Sequence, residues 1–209
     1  MPPGLEPLPD LHLDRPYRIA VVGAGPAGFY TTAALLAQSA SGSVPGLRVD
    51  LLDRLPTPYG LVRFGVAPDH PKIKEVVRVF ERVALDPRVR FLGNVELGRD
   101  ISVGDLAAHY DACAFAVGGP SDRRLGVPGE DLAGSHSSTA LVAWYSAHPD
   151  FLDLPVDLSC PVAAVVGAGN VAVDVARILG RNPEDLAATD ISDDALACLR
   201  TSRIRDVHF

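Results

Sequence analysis

Cysteine is scarce in this sequence of 209 residues, and the three that occur, Cys113, Cys160 and Cys198, are far apart. No two of them have the close spacing that zinc and iron–sulfur sites use, so we expect no metal site. An odd number of separated thiols also argues against a disulfide framework and is typical of a reducing compartment. We therefore predict a cytoplasmic protein whose cysteines are structural.

Excess positive charge and long apolar runs are lacking as well. The formal net charge is −7 at pH 7, which disfavours nonspecific binding to nucleic acid or to an anionic membrane surface. No apolar stretch approaches the ~20 residues that span a bilayer. Residues 1–15 contain several prolines and lack the pattern of a signal peptide, so we predict a flexible leader there. We expect no nucleic-acid partner and no membrane span.

Two glycine-rich turns are present, each between an apolar segment and an alanine-rich or amphipathic one. Their sequences are Gly23-Ala24-Gly25-Pro26-Ala27-Gly28 and Gly167-Ala168-Gly169-Asn170-Val171-Ala172, which are 144 positions apart. Between a strand and a helix, such a turn brings a dinucleotide pyrophosphate to the positive end of the helix. One such turn is a weak indication, but two predict a protein that holds two dinucleotides.

The first turn contains the residues that this chemistry needs. Gly23 permits the tight bend, Gly25 lets the backbone approach a pyrophosphate, and Gly28 lets the helix pack closely on the strand. Asp53 follows the second predicted strand, thirty positions after Gly23, where a carboxylate can bond a ribose hydroxyl. The usual interval is about 20 residues, and the loop at 39–46 accounts for the excess. Asp50 is a rival for this role, but it lies farther from the carboxyl end of the strand.

The second turn has Ala172 at the position of the third glycine. Selection of a 2′-phosphate needs an arginine, usually from the loop after the next strand. The next predicted strand is 204–209. Arg203 and Arg205 flank its start, and we interpret both as ordinary surface charges.

Short apolar strands alternate with helical segments along the chain, which predicts an α/β fold with parallel sheets. A polar, proline-containing stretch at 150–161 predicts a domain boundary, and 57–71 is predicted to be an ordered loop. The predicted strands are 17–22, 47–53, 89–92, 111–117, 162–166 and 204–209, and the predicted helices are 26–40, 72–85, 139–147, 171–180 and 193–200.

The loop Tyr59-Gly60-Leu61-Val62-Arg63-Phe64-Gly65-Val66-Ala67-Pro68-Asp69-His70-Pro71 carries a family resemblance. Together with the first turn and with segments 94–100, 128–132, 144–145 and 169–179, it closely resembles the adrenodoxin reductase-like ferredoxin–NADP reductases. The similarity runs from about residue 15 to residue 209 and covers the N-terminal portion of that family. It implies two Rossmann-like dinucleotide-binding domains, the second incomplete. These would be an FAD-binding domain at 16–155, lacking its C-terminal return, and the truncated start of an NADP-binding domain at 156–209.

The resemblance also implies a reaction and a set of site residues. Enzymes of the family move a hydride from NADPH to FAD and pass electrons singly to a ferredoxin. His70 matches a histidine that lies near the flavin and pairs with a carboxylate, so it would orient or tune the hydride site. The implied FAD contacts are Gly23, Gly25, Pro26, Ala27, Gly28, Asp53, Gly60, Leu61 and Leu97, and those of the NADP(H) pyrophosphate are Gly167, Ala168, Gly169, Asn170 and Val171.

Length is the main departure from the family, whose members are about twice as long. The resemblance implies that the arginines for the 2′-phosphate and the carboxylate partner of His70 follow residue 209. Two alternatives therefore stay open. One is a non-catalytic remnant or binding module. The other is a flavin oxidoreductase similar to the small subunit of glutamate synthase, against which the specific loop at 59–71 argues.

Overall fold

A computed structural model describes residues 15–41, 46–119 and 121–208 of the chain. These residues group into two compact units. The first contains the described residues of Met1–Thr57 together with Arg82–Ala116, and the second contains those of Pro58–Glu81 together with Val117–Phe209. The predicted leader lies outside the described residues except for Arg15, and so do 42–45 of the loop after the first helix. The predicted nucleotide-binding domains divide the chain differently, near residue 155, and stay a prediction.

The first unit is built on a four-stranded parallel sheet in the order β3-β2-β1-β4. Its strands are β1 (Tyr17–Val22), β2 (Leu47–Leu52), β3 (Val89–Leu92) and β4 (Ala112–Phe115). Helix α1 (Pro26–Ala40) connects β1 to β2, as parallel neighbours require. This strand order is that of one half of a doubly wound dinucleotide-binding fold. The predicted α/β class with a parallel sheet is confirmed.

The central strands β1 and β2 are apolar and buried toward their carboxyl ends, where both faces are covered, whereas their second residues, Arg18 and Arg48, are exposed. Ala20, Val21, Val49 and Leu51 are completely buried. Helix α5 (Val103–His109) packs Leu106 against one face, and it begins at a capping box in which Ser102 and Asp105 exchange hydrogen bonds. The sheet therefore presents the loops after its strands on a rigid base.

The second unit contains a smaller parallel pair, β5 (Val162–Ala164) and β6 (Asp206–His208). Its core joins four helices through large buried side chains that include Trp144, Ile178, Leu186 and Leu199. The helices of the core are α6 (Ser138–Tyr145), α7 (Asn170–Gly180), α8 (Pro183–Leu186) and α9 (Asp193–Arg200), and the unit also contains α2 (Leu61–Phe64), α3 (Pro71–Lys74) and the 3₁₀ turn Pro149–Phe151.

Two sequence predictions in this region are wrong in detail. The single helix predicted at 72–85 is two helices, α3 and α4 (Val77–Ala84), the second of which contributes residues to both units. Between them the hydrogen bonds shorten to three-residue spacing, from Val76 N to Ile73 O and from Arg78 N to Glu75 O, which turns the chain. The loop predicted at 57–71 contains α2, which starts after Gly60 at a φ of 44°.

Other predicted elements are present with shorter bounds. The strands predicted at 111–117 and 162–166 each end two residues before the predicted end, because the last apolar residues of these runs continue into loops. The strand predicted at 204–209 starts two residues late, at Asp206. Within residues 15–41, 46–119 and 121–208, every helix is too short or too polar to cross a membrane.

Candidate functional sites: two glycine-rich turns and a histidine cluster

The first turn has the backbone that its glycines predict. Gly23 has a φ of 109°, a left-handed value that favours glycine. Gly25 caps α1 in an extended conformation, and Pro26 is the first helical residue, where a missing N–H costs nothing. A Cβ on Gly28 would lie 1.9 Å from the carbonyl oxygen of Gly23. The close approach of helix to turn therefore depends on glycine at this position.

Asp53 lies at this turn, as predicted. One carboxylate oxygen accepts a hydrogen bond of 2.7 Å from the N–H of Ala24, and the other accepts one of 2.9 Å from Leu55. Asp50, the rival, is engaged elsewhere. Its oxygens accept from Arg90 at 2.9 and 2.6 Å and from the Tyr110 hydroxyl at 2.7 Å. Of the two carboxylates, Asp53 is therefore the one beside the turn.

The start of α1 is open to an anion. No side chain caps it, and its first turn contains no acidic residue. Among the described residues, the amides of Ala27 and Gly28 have no acceptor, as expected for the first helical N–H groups. Free amides and the positive helix end together favour a bound phosphate.

The other predicted FAD contacts divide between the units. Leu97 packs against the cluster that includes Val22 and Leu52, the residues that precede the first turn and Asp53. Gly60 and Leu61 belong to the second unit, where Gly60 caps α2 and Leu61 is 70% exposed. Leu97 therefore packs below the first turn within the first unit, whereas Gly60 and Leu61 belong to the second unit.

The second turn repeats the geometry of the first. Gly167 has a φ of 141°, and Gly169 caps α7 in an extended conformation without a side-chain bond. The amides of Asn170 and Val171 have no acceptor among the described residues, and the first turn of α7 contains no acidic residue. A Cβ on Gly169 would meet no described atom within 4 Å. The predicted residues Gly167, Ala168, Gly169, Asn170 and Val171 therefore form one exposed, uncapped helix start.

His70 belongs to a charged cluster in the second unit. Its Nε2 lies 3.1 Å from Asp174 Oδ1 and 2.9 Å from a guanidinium nitrogen of Arg177. Arginine can only donate, so an unprotonated Nε2 accepts from Arg177, and a protonated Nε2 donates to Asp174. The resemblance implies a carboxylate partner beyond residue 209. The structure instead provides a carboxylate within the chain, that of Asp174, which is the fifth residue of α7. His70 thus has both a donor and an acceptor at the same nitrogen.

Asp69 and two arginines fix the position of this histidine. Arg177 donates two bonds to Asp69, at 2.7 and 2.8 Å, and a third to Asp174 at 2.8 Å. Arg181 adds a bond of 2.9 Å to Asp69, whose side chain is only 6% exposed. The hydrogen bonds from Arg177 lower the pKa of Asp69 to about 2. Asp69 is therefore an anion in the folded protein at neutral pH.

Tyr145 is a buried phenol in the same unit. Its side chain is completely enclosed, and burial raises the pKa of the hydroxyl, with the Asp174 carboxylate adding to the rise. The hydroxyl oxygen has no hydrogen-bond partner among the described residues.

The sequence predictions missed Asp174, Arg177 and the role of Asp69. The spacing of Asp174 and Arg177, three residues apart on one helix, indicates a shared helical face. Their connection to Asp69 crosses more than 100 positions of the chain, so no local pattern contains it.

The chain is similar to proteins of one known family. Residues 17–188 match the family described as pyridine nucleotide-disulphide oxidoreductase. The chain is 52% identical to NADPH-ferredoxin reductase FprA of Mycobacterium tuberculosis over 193 residues, which is 92% of this chain and 42% of FprA. It is 49% identical to the mitochondrial NADPH:adrenodoxin oxidoreductase of Arabidopsis thaliana over 195 residues, which is 93% of this chain and 39% of that protein.

Solved structures give the same result. The structure of Mycobacterium tuberculosis FprA in complex with NADPH matches with a TM-score of 0.88 at 52% identity, covering 92% of this chain and 43% of that one. A histidine-to-glutamine mutant of the same protein matches with a TM-score of 0.90 over the same share of each chain. The predicted resemblance and Rossmann-like fold class are confirmed. The chain spans about 42% of the length of the curated FprA that it matches.

Proposed function

Because the chain belongs to the pyridine nucleotide-disulphide oxidoreductase family, we propose that it supplies both nucleotide-binding turns of an FAD-dependent NADPH–ferredoxin reductase. The observation that carries the proposal is the pair of uncapped helix starts, of which the first has a carboxylate beside it. FAD, when bound, supplies the acceptor for a hydride and the donor of single electrons. The names of the relatives, NADPH-ferredoxin reductase and NADPH:adrenodoxin oxidoreductase, agree with this reaction.

The first turn is the proposed FAD site. The amides of Ala27 and Gly28 hold the pyrophosphate at the start of α1, and Asp53 accepts a hydrogen bond from a ribose hydroxyl. Gly28 keeps the helix close enough to the turn for this geometry. The further contacts proposed for FAD are Gly23, Gly25, Pro26, Gly60, Leu61 and Leu97.

The second turn is the proposed NADPH site. The amides of Asn170 and Val171 are available to the pyrophosphate, and Gly169 leaves open space for its approach. Gly167 and Ala168 form the bend that presents those amides. The pyrophosphate is a part of the cofactor that NADPH and NADH share, so the proposal for these residues does not extend to recognition of the 2′-phosphate.

His70 is the proposed positioning residue of the hydride site. Its Nε2 holds a proton toward Asp174 or accepts one hydrogen bond from Arg177, and Asp69 holds Arg177 through two hydrogen bonds. The proposed electron acceptor is a ferredoxin, and the proposed location, from the cysteine usage, is the cytoplasm.

The test is anaerobic titration of the purified full-length protein with NADPH, followed by the visible absorbance of its flavin. We expect bound flavin that NADPH bleaches. Gly169→Asp places a carboxylate where the pyrophosphate binds, so bleaching should need a much higher NADPH concentration while the flavin stays bound. Gly104→Asp adds the same charge at the start of α5 and is the matched control.

Two outcomes would contradict the proposal. A full-length protein that contains no flavin and binds none when FAD is added would favour the non-catalytic binding module instead. Equal NADPH dependence in Gly169→Asp and Gly104→Asp would remove the second turn from the NADPH site.

A further inference from the structure

The amino end of the first unit's sheet forms an open groove of about 980 Å³ that is rich in arginine. The first turn and Asp53 follow the opposite, carboxyl ends of the strands, about 20 Å away for a six-residue strand. The groove is therefore separate from the proposed FAD site. It is basic in a chain whose net charge is −7. Its five arginines are Arg15, Arg18, Arg48, Arg88 and Arg90.

Three of these arginines already have a carboxylate. Each makes two hydrogen bonds, of 2.6 to 2.9 Å, to the two oxygens of one aspartate. Such paired bonds use the planar fork of the guanidinium and leave little of its charge for a further anion. The pairs are Arg15 with Asp111, Arg88 with Asp86 and Arg90 with Asp50.

Arg18 and Arg48 are the two arginines of the groove without such a partner among the described residues. They are in register on the adjacent parallel strands β1 and β2, so their side chains leave the same face of the sheet. Asp111 accepts from the Arg15 guanidinium and from the main-chain N–H of Arg18, not from the Arg18 side chain. Like charges directly opposite each other destabilise a sheet, and an anion between them would remove that cost.

We propose that Arg18 and Arg48 form a binding site for a phosphate group, free or carried by a small ester. Adjacent strands are about 4.8 Å apart, so two guanidinium forks can converge on one tetrahedral anion. Arginine is the residue that binds phosphate oxygens in pairs. The end of α5 closes one side of the groove with His109 and Tyr110. The recess and its two neighbouring guanidinium groups, which bond no carboxylate among the described residues, fit one compact anion better than the broad surface of an acidic protein.

The site is tested by calorimetric titration of the full-length protein with inorganic phosphate and, separately, with ribose 5-phosphate. We expect Arg18→Gln and Arg48→Gln each to weaken binding about tenfold, because each removes charge-assisted hydrogen bonds. Arg82→Gln is the matched control, since Arg82 is an exposed arginine on α4 outside the groove. Tighter binding of the ester would identify an esterified ligand, and equal binding would identify free phosphate.

The proposal is overturned if the wild-type protein binds neither phosphate compound at millimolar concentration. It is also overturned if Arg82→Gln weakens binding as much as Arg18→Gln, because the attraction would then be general charge. The flavin spectrum should be the same in all of these variants, so failure here is distinguishable from failure of the proposed reductase function.

Discussion

The first and second glycine-rich turns have nearly the same backbone in different surroundings. The capping glycines have φ of −84° in both, with ψ of −173° at Gly25 and 172° at Gly169. The helix after the first turn contains no charged residue and buries Phe29, Thr32 and Leu36. The helix after the second turn instead carries Asp174 and Arg177, which bond His70.

The two turns share a backbone geometry but differ in the residues around them. A turn that ends in free amides at a helix start is suited to bind a phosphate. At the first turn, Asp53 bonds the backbone of Ala24 and is the proposed ribose ligand, and Gly28 allows the helix to approach the turn closely. At the second turn, α7 brings the side chains of Asp174 and Arg177 within hydrogen-bond distance of His70. The comparison therefore separates a turn whose helix packs closely on it through Gly28 from one whose helix also carries the partners of His70.

The largest expected effect follows from the third glycine of the first turn. Gly28→Ala would place a methyl group 1.9 Å from Gly23 O, so α1 must move. We expect a loss of about 3 kcal/mol in the free energy of unfolding and loss of tight FAD binding. Urea denaturation and a fluorescence titration with FAD measure the two effects.

The matched substitution in the second turn is Ala172→Gly. It creates the third glycine there and should cost only about 1 kcal/mol through helix propensity, with NADPH binding retained. If Gly28→Ala were as mild as Ala172→Gly, the two turns would not differ in how tightly they hold their helices.

A smaller effect concerns the ion pairs of the second unit at low pH. The pKa of Asp69 is lowered to about 2, so its stabilising charge is fully present above about pH 4 and is lost as the pH falls through about 2. Asp69→Asn should lower the free energy of unfolding by about 2 kcal/mol at neutral pH. It should also flatten the fall in stability below pH 4, which urea denaturation across this range measures.

Asp86→Asn is the control for that measurement. The pKa of Asp86 is also lowered to about 2, by hydrogen bonds from Arg88 in the first unit. The Asp86 side chain is 21% exposed and that of Asp69 only 6%, so water screens the Asp86–Arg88 pair more and its loss should cost less free energy of unfolding. An equal loss in the free energy of unfolding in both variants would mean that burial of Asp69 adds nothing to the strength of its ion pairs.

The smallest expected effect is a difference in FAD affinity between variants of Asp53, which follows β2, and of Asp50, which lies within β2. Asp53→Asn removes an anionic acceptor at the first turn, and we expect about tenfold weaker FAD binding. Asp50→Asn disrupts the bonds to Arg90 and Tyr110 at the other end of the strand and should leave FAD affinity unchanged. Equal affinities for FAD in the two variants would exclude Asp53 as the ribose ligand.

The sequence predicted what depends on neighbouring residues. Apolar runs before glycines indicated β1 and β5, and the position of Asp53 after a strand placed its carboxylate at the turn. The sequence did not predict the break between α3 and α4, because the apolar spacing at 72–85 is helical throughout. The bonds of Arg177 to Asp69, and the position of Arg18 beside Arg48 with no paired carboxylate among the described residues, depend on chain folding over many positions, which no local pattern records.

The central claim is that the two turns hold two different dinucleotides. Equilibrium binding of FAD and NADP⁺ to the full-length protein tests it most directly, in the wild type and in Asp53→Asn and Gly169→Asp. We expect both ligands to bind at once, with FAD weakened only by Asp53→Asn and NADP⁺ only by Gly169→Asp. Competition between the two ligands, or equal weakening of both by either substitution, would contradict the account.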